Sequence, residues 1–130
     1  MKFSLYLLIK IKPHSSSSLL GRFNVSKQEC SGFILEAPTY RANPDWAQKI
    51  GYSLESLKDI NGTAVQELEK LRNDYQDDDF KIVISVCIGP RGDGYSPDKL
   101  MSIEMAEEYH SFQIKLAADT NADLVSALTM

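Results

Sequence analysis

The chain has 130 residues, with 43% hydrophobic and 25% charged side chains, enough for one domain with a hydrophobic core. Its 14 Lys and Arg against 18 Asp and Glu leave a formal charge of −4, which excludes a broad basic surface for nucleic acid and a Lys/Arg-rich membrane-surface helix. Two cysteines, Cys30 and Cys87, exclude a disulfide scaffold and fit a reducing, cytoplasmic setting.

The start is atypical. Met1-Lys2 ahead of the apolar run Phe3 to Ile9 meets a signal-peptide pattern only in part, because Lys10 and Lys12 break it and no cleavage site follows closely. The run is also far short of the roughly 20 residues needed to span a bilayer. It reads as a strand or a disordered start. The Ser-rich link 13–21 has little capacity to pack. Residues 1–22 are therefore expected to be a poorly packed or disordered segment, ahead of a domain over 23–130.

From Gly32 the texture changes. Phe33 to Ala37 reads as a strand stopped by Pro38. Asn43-Pro44-Asp45 starts a short helix to about Ile50, broken by Gly51. Ser53 caps a long helix with Leu54, Leu57, Ile60, Ala64, Leu68, Leu71 and Tyr75 as its apolar stripe. Asp77-Asp78-Asp79 ends it, as a solvated turn in preference to an acidic metal-binding loop.

Phe80 to Ile88 is nearly continuous in β-branched residues, the pattern of a parallel strand buried on both faces. Gly89-Pro90 stops it, and the loop 91–97 follows. Its glycines do not match a dinucleotide or P-loop pattern, and Arg91-Gly92-Asp93 is read as a coincidental adhesion tripeptide. Ser102 caps a helix carrying Met105, Ala106, Tyr109, Phe112 and Leu116, with Asn121 able to close it in a left-handed turn. Asp123 to Leu128 reads as one more buried strand. His110 and Cys87 are read as structural, and Trp46 as a core anchor, with the border of a pocket after the first strand's loop as its alternative. This alternation of strands and helices implies right-handed βαβ units, a parallel sheet and an α/β fold. A parallel strand with no helix after it suggests a piece of a larger sheet.

Four ordered segments carry a resemblance: Gly32 to Trp46 (GFILEAPTYRANPDW), Val86 to Tyr95 (VCIGPRGDGY), Tyr109 to Ile114, and Ala122 to Met130 (ADLVSALTM). Together they resemble the second strand, third strand, next helix and fourth strand of the homocysteine S-methyltransferase family, over roughly Phe23 to Met130. The resemblance implies about the first half of a parallel-stranded (β/α)8 TIM barrel, with the site at the C-terminal strand ends. It implies zinc held by three cysteine thiolates, which deprotonates homocysteine for attack on the methyl group of a sulfonium or ammonium donor, giving methionine. The expected partners are thus a small-molecule thiol and a methyl donor, with neither nucleic acid nor membrane.

Two departures stand beside the likeness. Residues 1–22 lack the family's first-strand Asp-Gly, and Leu128 stands where many members place an amine-holding glutamate. The zinc cysteines belong to the half beyond Met130, so this chain alone is expected to hold no zinc and transfer no methyl group. By position, Thr39, Tyr40, Gly89, Pro90, Arg91 and Thr129 are the substrate-pocket candidates, and none is given a catalytic role. A non-catalytic α/β interaction module, self-associating through its open sheet edge, is the alternative.

Overall fold

The structure is a computed structural model, and it describes residues 6–10, 27–28, 31–95 and 100–130. Its elements run β1 (Tyr6–Lys10), β2 (Gly32–Ala37), α1 (Pro44–Lys49), α2 (Leu54–Tyr75), β3 (Lys81–Ile88), α3 (Ile103–Ala118) and β4 (Leu124–Ala127). The four strands form one open, all-parallel sheet in the order β1-β2-β3-β4. Each strand is thus followed in space by its successor in sequence, with no reversal of the winding direction. Right-handed crossovers wound in one direction put the helices on one face.

That face holds the core. Phe33, Leu35 and Ala37 of β2 and Ile82, Ile84, Val86 and Ile88 of β3 pack with Val65 and Leu68 of α2 and Ala117 of α3. Side chains alternate along a strand, so Ile34 and Glu36 of β2 and Val83, Ser85 and Cys87 of β3 face the other way. All of β3 from Ile84 to Ile88 is buried, as its unbroken apolarity implies.

The helix starts follow their caps. Asn43 accepts the Trp46 amide at 3.2 Å, Ser53 that of Ser56 at 3.1 Å and Ser102 that of Met105 at 3.3 Å. Gly51, at φ +80°, makes the left-handed turn after α1. Asp77 reads as a turn: its Oδ1 accepts the Asp79 and Phe80 amides, while Lys27 donates to Oδ2 at 2.6 Å. The Lys27 hydrogen bond, followed by the Phe80 amide, holds the Asp77 carboxyl below its usual range.

Several expectations are corrected. Of the two readings of the start, strand or disorder, Tyr6–Lys10 takes the first, as β1; the other residues of 1–22, the link 13–21 included, lie outside the described residues. On α2 the buried stripe is Leu57, Asn61, Val65 and Leu68, whereas Leu54 and Ile60 are 55% and 41% exposed. A polar residue inside the stripe shifts its apparent centre. Asn121 does not take a left-handed turn; Thr129 is the one described non-glycine residue with positive φ. The end of α3 is closed by Thr120, whose hydroxyl donates to the Ala117 carbonyl at 2.7 Å. Strand β4 is not buried: Leu124 and Val125 are 38% and 37% exposed, and among the described residues β4 pairs with β3 alone. Trp46 is no core anchor; it lies half-buried, 4.6 Å from the Arg41 guanidinium and 4.5 Å from the Lys49 ammonium.

The register of β4 has its own lock. Asp123 Oδ2 accepts the Ile84 amide at 2.7 Å and Arg72 Nη1 at 2.8 Å, and the Asp123 amide donates to the Ile84 carbonyl at 2.9 Å.

Candidate functional site

Parallel strands bring their C-terminal ends to one edge of the sheet, where loops can assemble a site. Here β2 runs into Thr39 and Tyr40, β3 into Gly89, Pro90 and Arg91, and β4 into Leu128 and Thr129. Thr39 is buried, and its hydroxyl donates to the Cys87 carbonyl at 2.8 Å and accepts the Cys87 amide at 3.2 Å. It extends the β2–β3 ladder by a side chain. Both bonding capacities of that hydroxyl toward β3 are used, so it acts as a clamp.

Tyr40 spans the gap to β4. The Thr129 hydroxyl donates to the Leu128 carbonyl at 2.7 Å, which leaves Tyr40 to donate to Thr129 Oγ1 at 2.5 Å. Its ring lies on Gly89: a Cβ there would stand 2.7 Å from Tyr40 Cε2. Gly94 is equally constrained, since a Cβ would collide with the Thr129 carbonyl oxygen. Four of the six candidates, Thr39, Tyr40, Gly89 and Thr129, thus sit in one contiguous cluster. Cys87 joins them through its backbone, and its thiol is buried in the strand.

Arg91 turns elsewhere. Its Nε donates to Asp45 at 2.9 Å, and its guanidinium lies 4.9 Å from the Tyr109 ring. It divides two cavities. One, of about 280 Å³, lies against Pro44, Met105, Glu108, Tyr109 and Phe112. The other, of about 450 Å³, is bordered by Pro90, Asp93, Leu100, Met101, His110 and Met130. Burial holds the His110 imidazole below its usual pKa.

Burial, then the Asp45 carboxylate, push the Tyr109 phenol up to about 12, against an opposing pull from Arg91. The unfolded phenol titrates near about 10, so the unfolded chain releases this proton first. The stabilisation is therefore whole below about pH 10 and is lost as pH rises toward the folded value. Unfolding free energy should fall through that window, read by denaturant titrations at stepped pH, and Tyr109→Phe should flatten the slope.

Three buried polar residues at this edge were not singled out by patterning: Glu36, Asn61 and Gln113. Gln113 Nε2 donates to the Thr39 carbonyl at 2.9 Å and approaches Asn61 Oδ1 at 3.4 Å. Asn61 Nδ2 donates to the carbonyls of Ala42 at 3.0 Å and Leu57 at 2.8 Å. This network ties the loop after β2 to both long helices. For Glu36 the signal was visible as a lone carboxylate within the apolar run 33–37.

Among the described residues, no group of three or more His, Cys, Asp or Glu is placed to hold a metal ion. Two cysteines in the whole chain cannot supply three thiolates. The donor set of this chain does not fit a three-thiolate zinc.

A family model described as homocysteine S-methyltransferase matches residues 29–130. No curated protein matches. The crystal structure of the homocysteine methyltransferase MmuM from Escherichia coli, in its metallated form, is similar with a TM-score of 0.66 at 20% identity, over 90% of this chain and 44% of that one. At that identity the likeness is one of fold. The chain spans less than half the length of that relative.

Proposed function

The chain belongs to the homocysteine S-methyltransferase family, and on that premise we propose that it supplies the first four staves of a (β/α)8 barrel whose complete form moves a methyl group from a sulfonium or ammonium donor to a thiol such as homocysteine, giving methionine. The observation that carries this reading is the meeting of three successive strand ends in one cluster, Thr39, Tyr40, Gly89 and Thr129, at the edge where barrels of this kind bind their ligands. In the reaction the sulfur forms a bond to the methyl carbon while the donor's bond to that carbon breaks and its electron pair stays with the donor. The part of these residues is to shape the floor of the mouth. Thr39 clamps β2 to β3, and Tyr40 bridges to β4 over a glycine that leaves room for its ring. Activation of the thiol is assigned to no residue of this chain. A cytoplasmic setting accompanies this reading.

The test is methionine formation from homocysteine with a methylsulfonium or methylammonium donor, followed by mass spectrometry. The 130-residue chain alone should yield none, and a version extended along its reading frame should yield methionine. Product from the chain alone would overturn the partial-barrel reading. An inactive, folded extended version would overturn methyl transfer.

A second reading, an interaction module that pairs through its sheet edge, is favoured by β4, which among the described residues pairs with β3 alone and carries the partly exposed Leu124 and Val125. Light scattering after size exclusion should then report a dimer or larger species. Val125→Lys should shift it toward monomer, and a monomeric wild-type chain would count against the reading.

A further inference from the structure

Large exposed apolar side chains gather in two places where the strands end. Ile50, Tyr52 and Leu54, at the junction of α1 and α2, are 66%, 50% and 55% exposed, and Leu100 and Ile103, at the start of α3, are 89% and 83% exposed. A helix that follows a parallel strand starts at that strand's C-terminal end, so both groups stand on the same side of the molecule. They flank one cavity of about 280 Å³, which Pro44 of α1 lines together with Met105 and Glu108 of α3. Single exposed apolar residues are ordinary, whereas groups of them mark an interaction surface. The charges beside the two groups have opposite signs. Arg41 and Lys49 lie 4.6 and 4.5 Å from the Trp46 ring, next to Ile50. Glu107 and Glu108 lie one turn along α3 from Ile103 and Glu104. Among the described residues none of these four, Arg41, Lys49, Glu107 or Glu108, enters an ion pair, and Asp45 of α1 is held by Arg91.

We propose that this surface is an interface between two copies of the chain, related by a two-fold axis, in which the basic group of each copy meets the acidic group of the other. A face that carries a basic, aromatic group beside an acidic, apolar one is complementary to itself under two-fold rotation, and every contact then occurs twice. Ile50, Tyr52 and Leu54 of one copy cover Leu100 and Ile103 of the other, while Arg41 and Lys49 take Glu107 and Glu108 as their counter-ions. The composition suits the role, since Trp, Tyr and Arg are the side chains that most often anchor protein interfaces. A small anion would satisfy the cations and leave the apolar groups in water; a second copy accounts for both. The chain's formal charge of −4 makes two copies repel in general, so local charge complementarity has to set the orientation. No residue of β4 takes part, which separates this interface from edge pairing.

Light scattering after size exclusion tests the assignment on the full 130-residue chain and on variants that retain its circular dichroism. The wild-type chain should be a dimer, and Val125→Lys should leave it one. Arg41→Glu with Lys49→Glu, and separately Glu107→Lys with Glu108→Lys, should each raise the dissociation constant at least about tenfold, because each sets like charges opposite one another twice. Mixed in equal amounts, the two double variants should form a dimer again, since every reversed charge then meets its opposite; mixing does not cure a fault in the fold of either one. Should a double variant fail to fold, Ile50→Asp, at a position 66% exposed, must disperse the dimer to the same extent. A monomeric wild-type chain overturns the proposal, as does a dimer that survives a folded charge-reversal variant or Ile50→Asp, or a mixture that stays monomeric. A dimer dispersed by Val125→Lys and untouched by the charge reversals also overturns it, and leaves pairing through β4 in its place.

Discussion

Phe33→Ala should destabilise the fold by about 3–5 kcal/mol, the range for deleting a fully buried aromatic ring. Phe33 is 0% exposed, sits opposite Ile82 in the β2–β3 register and has the Phe80 ring 6.4 Å away at 43°. It stands at the entry of β2, where the sheet meets α2, and the rigid strands on either side cannot collapse into the space it leaves. Urea denaturation should show the midpoint falling with an unchanged slope, the signature of lost stability without a new denatured state. Leu54→Ala is the internal control. That leucine is 55% exposed, so its loss should stay within about 0.5 kcal/mol although it lies on the same nominal stripe of α2. A Phe33 effect below about 1 kcal/mol would mean that the helices do not cover β2 as described.

The contrast between those two residues shows where patterning reads the fold and where it does not. Strand β3 was legible because eight residues of near-continuous apolarity admit only burial on both faces. The helix starts were legible because Asn43, Ser53 and Ser102 each have a local partner three residues on. The strand order was implied by the alternation of elements, and the edge that gathers the candidate residues followed from the strands being parallel. Periodicity, however, counts polar residues as exposed. Asn61, Gln113 and Glu36 are each more than nine-tenths buried, and what buries the first two is a set of hydrogen bonds to loops distant in sequence. Arg91 illustrates the same limit at the site. Its place after β3 was evident, but its turn toward Asp45 depends on a partner 46 residues earlier in the chain. For β4 the composition was read correctly as strand and wrongly as buried, since burial of an edge strand depends on what lies beside it.

The buried amides make the largest polar prediction. Asn61→Leu should cost about 2–4 kcal/mol, even though leucine is the better helix former by a few tenths of a kcal/mol. It removes the donor to the Ala42 carbonyl and sets an apolar side chain against the Gln113 amide. Gln113→Leu should cost less, about 1–2 kcal/mol, because the Thr39 carbonyl keeps the Ala42 amide as a donor at 2.9 Å. The double variant is the decisive measurement. Removing both amides leaves neither facing a leucine, so the pair should cost less than the sum of the singles by about 0.5–3 kcal/mol. Strict additivity in denaturant unfolding would show that the two side chains do not share a network. The same variants bear on the mouth, since Gln113 reaches the backbone of Thr39, one residue before the tyrosine that bridges to β4. Amide hydrogen exchange at Tyr40 should therefore quicken in Gln113→Leu by more than global unfolding explains, whereas an unchanged rate there would confine the network to holding α2 and α3 together.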